Sequence, residues 1–224
     1  MIRRALSALA VLCLLAGCGG AAGEGEGTAQ LWVTRDRGAK LLVDTKVDAG
    51  QTLMRALASE ADVKTRYGGR YVQAVNGIEG SLNAQRDWFW FVNGYEGDRS
   101  AASYRLHDGD VAWLDYRAWQ REGEARVVVG AFPEPFLHGY GGKTRPVAIR
   151  YDRGSEQRAH KLGAELGPAR VAPLGTPVPA GANVLEVRGG ASSVTAKLLG
   201  ETAGDPVRFV WRGDPTPKRR YTVP

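Results

Sequence analysis

Residues 87–94 read Asp87-Trp88-Phe89-Trp90-Phe91-Val92-Asn93-Gly94, four aromatic side chains in unbroken succession. In a strand successive side chains point to opposite faces, so Trp88 and Trp90 share one face and Phe89 and Phe91 the other. A pair of indoles on an open face makes a flat platform, apolar over most of its area and with an N–H at each edge. Covering about 200 Å² of it would give roughly 5 kcal/mol before the costs of association. That is the chemistry of recognition, with no bond made or broken. We expect Phe89 and Phe91 to turn inward against Leu53 and Leu57, leaving Trp88 and Trp90 outward. Asn93 follows in a tight Asn-Gly turn, and Asn76 heads a second one, Asn76-Gly77; both offer amide groups to a polar ligand edge. Tyr95 and Arg99 sit in the adjoining loop as rim contacts. The candidate ligand-binding residues are therefore Trp88, Trp90, Asn93, Tyr95, Arg99 and Asn76. The same aromatics would equally serve to pack one domain on another, or to pack wholly within the first domain.

Other chemistries find little support. The three histidines, His107, His138 and His160, stand far apart and lack neighbours at metal-ligand spacing. His138 lies in the Gly-rich loop Leu137-His138-Gly139-Tyr140-Gly141-Gly142, as a solvent-facing residue or a lone metal ligand. Asp108-Gly109-Asp110 supplies too few carboxylates for a calcium loop and reads as a turn. Ser155, Ser192 and Ser193 lie in no nucleophile-elbow setting. The glycine pairs 141–142 and 189–190 lead into no Gly-Lys-Ser or Gly-Lys-Thr, so no phosphate loop is present. We expect no catalytic residues, no metal site and no required cofactor: not an enzyme.

The elements that must carry the aromatic strand follow from local pattern. Strands are expected over 30–34 and 40–47, joined by the turn Asp36-Arg37-Gly38-Ala39. Leu53, Met54, Ala56, Leu57 and Ala61 recur at helical spacing, giving a helix capped at Asp48 or Thr52. Residues 71–75, 88–92 and 111–116 read as strands, the last with Asp115 and Arg117 alternating with its apolar side. Strands wrapped around one helix make an α+β arrangement. The second half reads as a small α/β unit. Strands are expected over 125–131, 146–151, 183–188 and 206–212, with a helix over 155–166. Residues 193–199 fit a strand or a helix.

Charge supports the division. Residues 24–126 hold 14 basic and 16 acidic residues, a net of −2, whereas 127–224 hold 14 and 8, a net of +6. Nine of the 19 aromatics fall between Trp88 and Trp119. The hydrophobic fraction of 43% excludes a wholly disordered chain. The basic surplus is scattered, Lys218-Arg219-Arg220 being its one run. It suits proximity to an anionic membrane surface, and no nucleic-acid partner is expected.

The chain opens with Arg3 and Arg4, then an apolar run too short to anchor a membrane span. It ends in Leu15-Ala16-Gly17-Cys18, which resembles the lipobox of bacterial lipoproteins. That resemblance implies a signal peptide over 1–17 and lipidation at Cys18, with residues 18–27 as a flexible tether. It places the protein outside the cytoplasmic membrane, held there by lipid. Cys13 and Cys18 are the only cysteines, so the folded part contains none.

Four stretches carry a further likeness. They are Thr52-Leu53-Met54-Arg55-Ala56-Leu57, Val72-Gln73-Ala74-Val75-Asn76-Gly77-Ile78, the aromatic strand with its Asn93-Gly94 turn, and the segment from Tyr104 through Asp108-Gly109-Asp110 to Trp113. In order and spacing they resemble the transcobalamin-like C-terminal domain family, a β-grasp-like module. The likeness covers about residues 28–118. It implies a β-grasp-like domain over 28–120, followed by a small α/β domain of no named family over 125–224. In animal B12 carriers the related domain covers one face of cobalamin, so the resemblance implies cobalamin or another corrinoid as ligand. The expected function is an extracytoplasmic, lipid-anchored binding module for a corrinoid or another flat hydrophobic small molecule, partnered by the membrane and by an uptake-system or surface protein. The alternative is a structural or protein-interaction lipoprotein whose aromatic strand packs against the second domain or a partner.

Overall fold

The computed structural model describes residues 26–119 and 126–215. The expected signal peptide, Cys18, residues 18–25 of the tether, the polar joint at 120–125 and Lys218-Arg219-Arg220 lie outside the described residues. No helix among the described residues is long and apolar enough to cross a membrane.

The first unit begins with β1 (Thr28–Arg35) and β2 (Lys40–Asp48), an antiparallel hairpin. Helix α1 (Leu53–Glu60) follows, with Thr52 as N-cap accepting a hydrogen bond from the Arg55 N–H. Its buried residues are Leu53, Met54, Ala56 and Leu57, the stripe read from the spacing. Strands β3 (Val63–Arg66), β4 (Tyr71–Val75) and β5 (Ile78–Glu79) form a small antiparallel sheet. The main sheet is completed by β6 (Arg86–Val92), β7 (Tyr95–Glu96) and β8 (Val111–Ala118), in the order β2-β1-β8-β6-β7. β8 runs parallel to β1 and antiparallel to β6. It is flanked on both edges, and every residue of it except Ala118 is buried.

That burial includes two charges which the alternation alone left at the sheet surface. The Asp115 carboxylate is wholly enclosed and accepts from Thr34 Oγ1 at 2.5 Å, Arg37 N at 3.0 Å and Gly38 N at 3.1 Å. It pins the β1–β2 turn to the sheet, a buried carboxylate being tolerable only when donors surround it. Arg117 lies with its guanidinium carbon 3.9 Å from the centre of the Phe89 ring and faces Glu96.

The strict alternation of β6 holds, but its faces are the reverse of those expected. Trp88 is only 7% exposed and belongs to the same apolar core as Leu53 and Leu57. Phe91 faces the other way, into a cluster with Trp113, Val128 and Ala131. The reason is where cover is available: α1 lies on the tryptophan side, and the chain returning after residue 126 closes over the phenylalanine side.

The returning segment was expected to be a strand over 125–131. Instead Val127 makes a single bridge to Tyr95, and Val129–Ala131 form a 3₁₀ turn. The apolar run serves a different purpose: Val128 and Ala131 seal the first sheet, while the Phe132 ring packs at a tilt 4.8 Å from Trp211 of the second. Helix α2 (Glu134–Leu137) continues this wedge, with Phe136 against Phe209 at 5.3 Å. Then come β9 (Val147–Tyr151), α3 (Glu156–Glu165), β10 (Ala169–Pro173), β11 (Asn183–Arg188), β12 (Ser193–Leu198) and β13 (Val207–Arg212). Their order is β10-β9-β11-β13-β12, parallel throughout except at β12. Both units thus mix helices with sheets, consistent with a general β-grasp-like, two-domain α/β plan. One continuous apolar core runs through both.

Candidate functional site

A cleft of about 500 Å³ opens beside β6, within the span of small-molecule sites, about 300–1,000 Å³. Trp88 and Trp90 from β6 line it, with Tyr71 from β4 and Tyr67 and Arg70 from the β3–β4 turn. The loop after β7 closes it with Gly97, Arg99 and Ser100. The tryptophans form its inner wall. Trp88 packs 5.2 Å from the Tyr116 ring and donates its indole N–H to the Ile78 carbonyl at 3.0 Å. Trp90 meets Tyr104 edge-on at 5.6 Å and remains half-buried. Tyr67, 78% exposed, stands against Tyr71 at 6.1 Å and forms the outer lip.

The polar groups of the cleft are anchored. The Tyr71 hydroxyl donates to Asp87, whose other oxygen accepts from the Trp88 N–H at 2.8 Å. Burial, and then the bond to Asp87, raise the Tyr71 hydroxyl above the ordinary phenol range, so it stays a donor at neutral pH. Ser100 Oγ donates to the Arg70 carbonyl at 2.5 Å and ties the two sides of the mouth together. Arg99 makes two bonds to Asp98, at 2.7 and 3.1 Å. The Arg99 hydrogen bond holds the Asp98 carboxyl below its usual range. Arg70, Arg99, Asp87 and Glu96 all line the cleft, so the site combines apolar walls with charges of both signs.

Three of the six residues expected from the sequence, Trp88, Trp90 and Arg99, meet here. The other three lie elsewhere. Asn93 is fully buried. Its amide donates to Asp110 Oδ1 at 2.7 Å and to the Gly139 carbonyl at 2.9 Å, and its oxygen accepts from the Val111 N–H at 2.7 Å. It joins the first sheet to the segment after α2 and has no surface to offer. Tyr95 is buried, 5.8 Å from Tyr140, and burial pushes its hydroxyl up to about 12. Asn76 is exposed, but away from the cleft; its side-chain oxygen accepts from the Asp62 N–H at 2.9 Å. His138 also stands apart, with Nδ1 2.5 Å from Glu134 Oε2 at the joint between the units.

Tyr67, Tyr71 and Asp87 were missed. The available signal was two tyrosines flanking Gly68-Gly69, a turn that holds both side chains at one rim. Among the described residues no group of three His, Cys, Asp or Glu is placed to hold a metal ion.

With this geometry in view, residues 50–118 match a family model described as Domain of unknown function (DUF4430). No curated protein matches the chain. Among solved structures, a protein from Ruminococcus gnavus ATCC 29149 is similar over 42% of this chain and 100% of its own, with 19% identity and a TM-score of 0.34. Haptocorrin in complex with Cbi is similar over 42% of this chain, with 12% identity and a TM-score of 0.35. The match spans 26% of the haptocorrin chain.

Proposed function

We propose that this protein is an extracytoplasmic, lipid-anchored binding module whose aromatic cleft takes a flat, largely apolar small molecule. The observation that carries this reading is the cleft itself: two indoles and two phenols around about 500 Å³, with a mainly apolar lining. Such a site favours stacking and burial over charge alone. A corrinoid is the first ligand to test, following the resemblance of residues 28–118. A titration with cobalamin, followed by tryptophan fluorescence, should quench Trp90 with saturation. A flat response up to high micromolar ligand would remove the corrinoid and leave other flat molecules open to the same assay. Anchoring is tested separately, since Cys18→Ala should release the protein from the membrane fraction.

The second reading, an aromatic strand that joins domains, is favoured by the opposite face of the same sheet. Phe91 and Trp113 pack there against Val128 and Ala131. The two readings concern different faces of β6. Trp113→Ala should disturb the joint, and Trp90→Ala the ligand.

A further inference from the structure

A second cleft, of about 640 Å³, lies between the two units. Its lining is polar, and among the described residues it contains three cations, Arg99, Lys143 and Arg145, against one carboxylate, Asp205. Arg99 also lines the aromatic cleft. The two openings therefore share Arg99, whose guanidinium carbon lies 5.9 Å from the centre of the Tyr140 ring.

The three cations are not equally available. Arg145 is fixed, with Nε donating to the Gly204 carbonyl at 2.5 Å and Nη2 facing Asp205 at 3.7 Å. Asp205 is also committed, accepting from Glu201 N, Thr202 N and Thr202 Oγ1. Those bonds hold its carboxyl below the usual range. Arg99 gives Asp98 two of its five N–H groups and, among the described residues, no further hydrogen bond engages the others. Lys143 is exposed, and no hydrogen bond or ion pair engages its ammonium among the described residues. The cleft thus presents a fixed floor and a free positive charge, joined through Arg99 to an apolar, aromatic chamber. This pairing selects for a molecule that is apolar at one end and anionic at the other.

We propose that the ligand of the aromatic cleft is an amphipathic anion. Its flat apolar head lies against Trp90, with Tyr67 and Tyr71 beside it. A short tail crosses Arg99, and a terminal carboxylate or phosphate ends against Lys143. This rests on the aromatic-cleft reading and adds the ligand's charge, its polarity along the chain and the second unit's part in holding it. A ligand so placed would touch both units at once, which gives residues 143–146 and 202–205 a role in recognition.

The test compares 1-pyrenebutyrate with 1-pyrenebutanol, which share a ring and chain and differ in the terminal charge. Energy transfer from tryptophan to pyrene reports binding to the purified chain. The acid should bind about tenfold more tightly than the alcohol, as expected for two partly exposed charge contacts. The advantage should shrink in high salt. Lys143→Glu should erase it with a much smaller change in the alcohol's affinity, and Lys143→Ala should give an intermediate result. Equal binding of acid and alcohol, or a preference that survives Lys143→Glu, would overturn the anionic tail and leave the aromatic cleft standing. Failure of both compounds to bind would overturn the cleft reading, and this proposal with it.

Discussion

Trp90 lies directly over Gly97: a Cβ built on Gly97 would come within 2.1 Å of indole atoms Cε2 and Cζ2. The inner wall of the cleft therefore depends on the absence of a side chain one strand away. The Gly97 N–H also donates to the Trp90 carbonyl at 3.0 Å, so the backbone there has little room to withdraw. Gly97→Ala should push the indole into the cleft. Overpacking of this kind costs about 1–3 kcal/mol. Affinity for 1-pyrenebutanol should fall by about tenfold or more, and thermal unfolding should occur at a lower temperature. Unchanged affinity would mean that Trp90 is not the stacking surface.

Asn93 tests the opposite expectation. Its side chain satisfies Asp110, the Gly139 carbonyl and the Val111 N–H, and its φ of 50° lies in the left-handed region. Asn93→Ala should destabilise the fold by about 3 kcal/mol, since buried partners are left unsatisfied at about 1–3 kcal/mol each. Asn93→Gly relieves the backbone but not the bonds, and should recover only a small part of that loss. Urea denaturation measures both. Ligand affinity of the folded fraction should not change in either variant, because no atom of Asn93 reaches the cleft.

How far the sequence discloses this arrangement depends on contrast. Helix α1 and most of the longer strands were legible because apolar and polar positions alternate at a clear period. β3 and β10 were not, since Val63-Lys64-Thr65-Arg66 and Ala169-Arg170-Val171-Ala172-Pro173 are exposed or half-buried edges with little periodicity. β6 gave its parity but not its polarity. Both of its faces are aromatic, so nothing local says which one meets α1. That is settled by Val128 and Ala131, some 40 residues later, in a run of strand formers that folds as a turn. The cleft was half legible for the same reason: Trp88, Trp90 and Arg99 share one stretch, whereas Tyr67 and Tyr71 reach it only through tertiary folding.

Trp113 is the place where the two units depend on each other. It is fully buried between Phe91, Trp32 and the Val128–Ala131 turn, and its indole N–H donates to Thr34 Oγ1 at 2.8 Å. Trp113→Ala should cost about 3–5 kcal/mol. Because one core runs through both units, calorimetry should show a single transition for the native chain, shifted down in the variant. Two separate transitions in the native chain would show that the wedge of residues 126–142 does not couple them.

Acid should reveal two opposing carboxylate effects. The carboxyls of Asp98, Asp152 and Asp205 are held low, first by Arg99, by the Ser155 hydroxyl and by the Thr202 N–H, respectively. Below the ordinary value of 3.8 the unfolded chain binds more protons at these sites than the native one. The stability they contribute is present above that value and is lost as pH falls through their native values. Glu134 behaves in the opposite sense. Burial raises its carboxyl, with Asp110 adding to the effect and His138 opposing it. Its favourable share is present below 4.5 and is lost as pH rises through the native value. Urea midpoints between pH 3 and pH 8 should therefore fall on the acid side in the native chain. In Glu134→Gln the acid fall should persist, and stability relative to the native chain should improve as pH rises from the acid end. If the two pH profiles run parallel, the half-buried Glu134 carboxyl carries no such strain, and its bond to His138 fully offsets its desolvation.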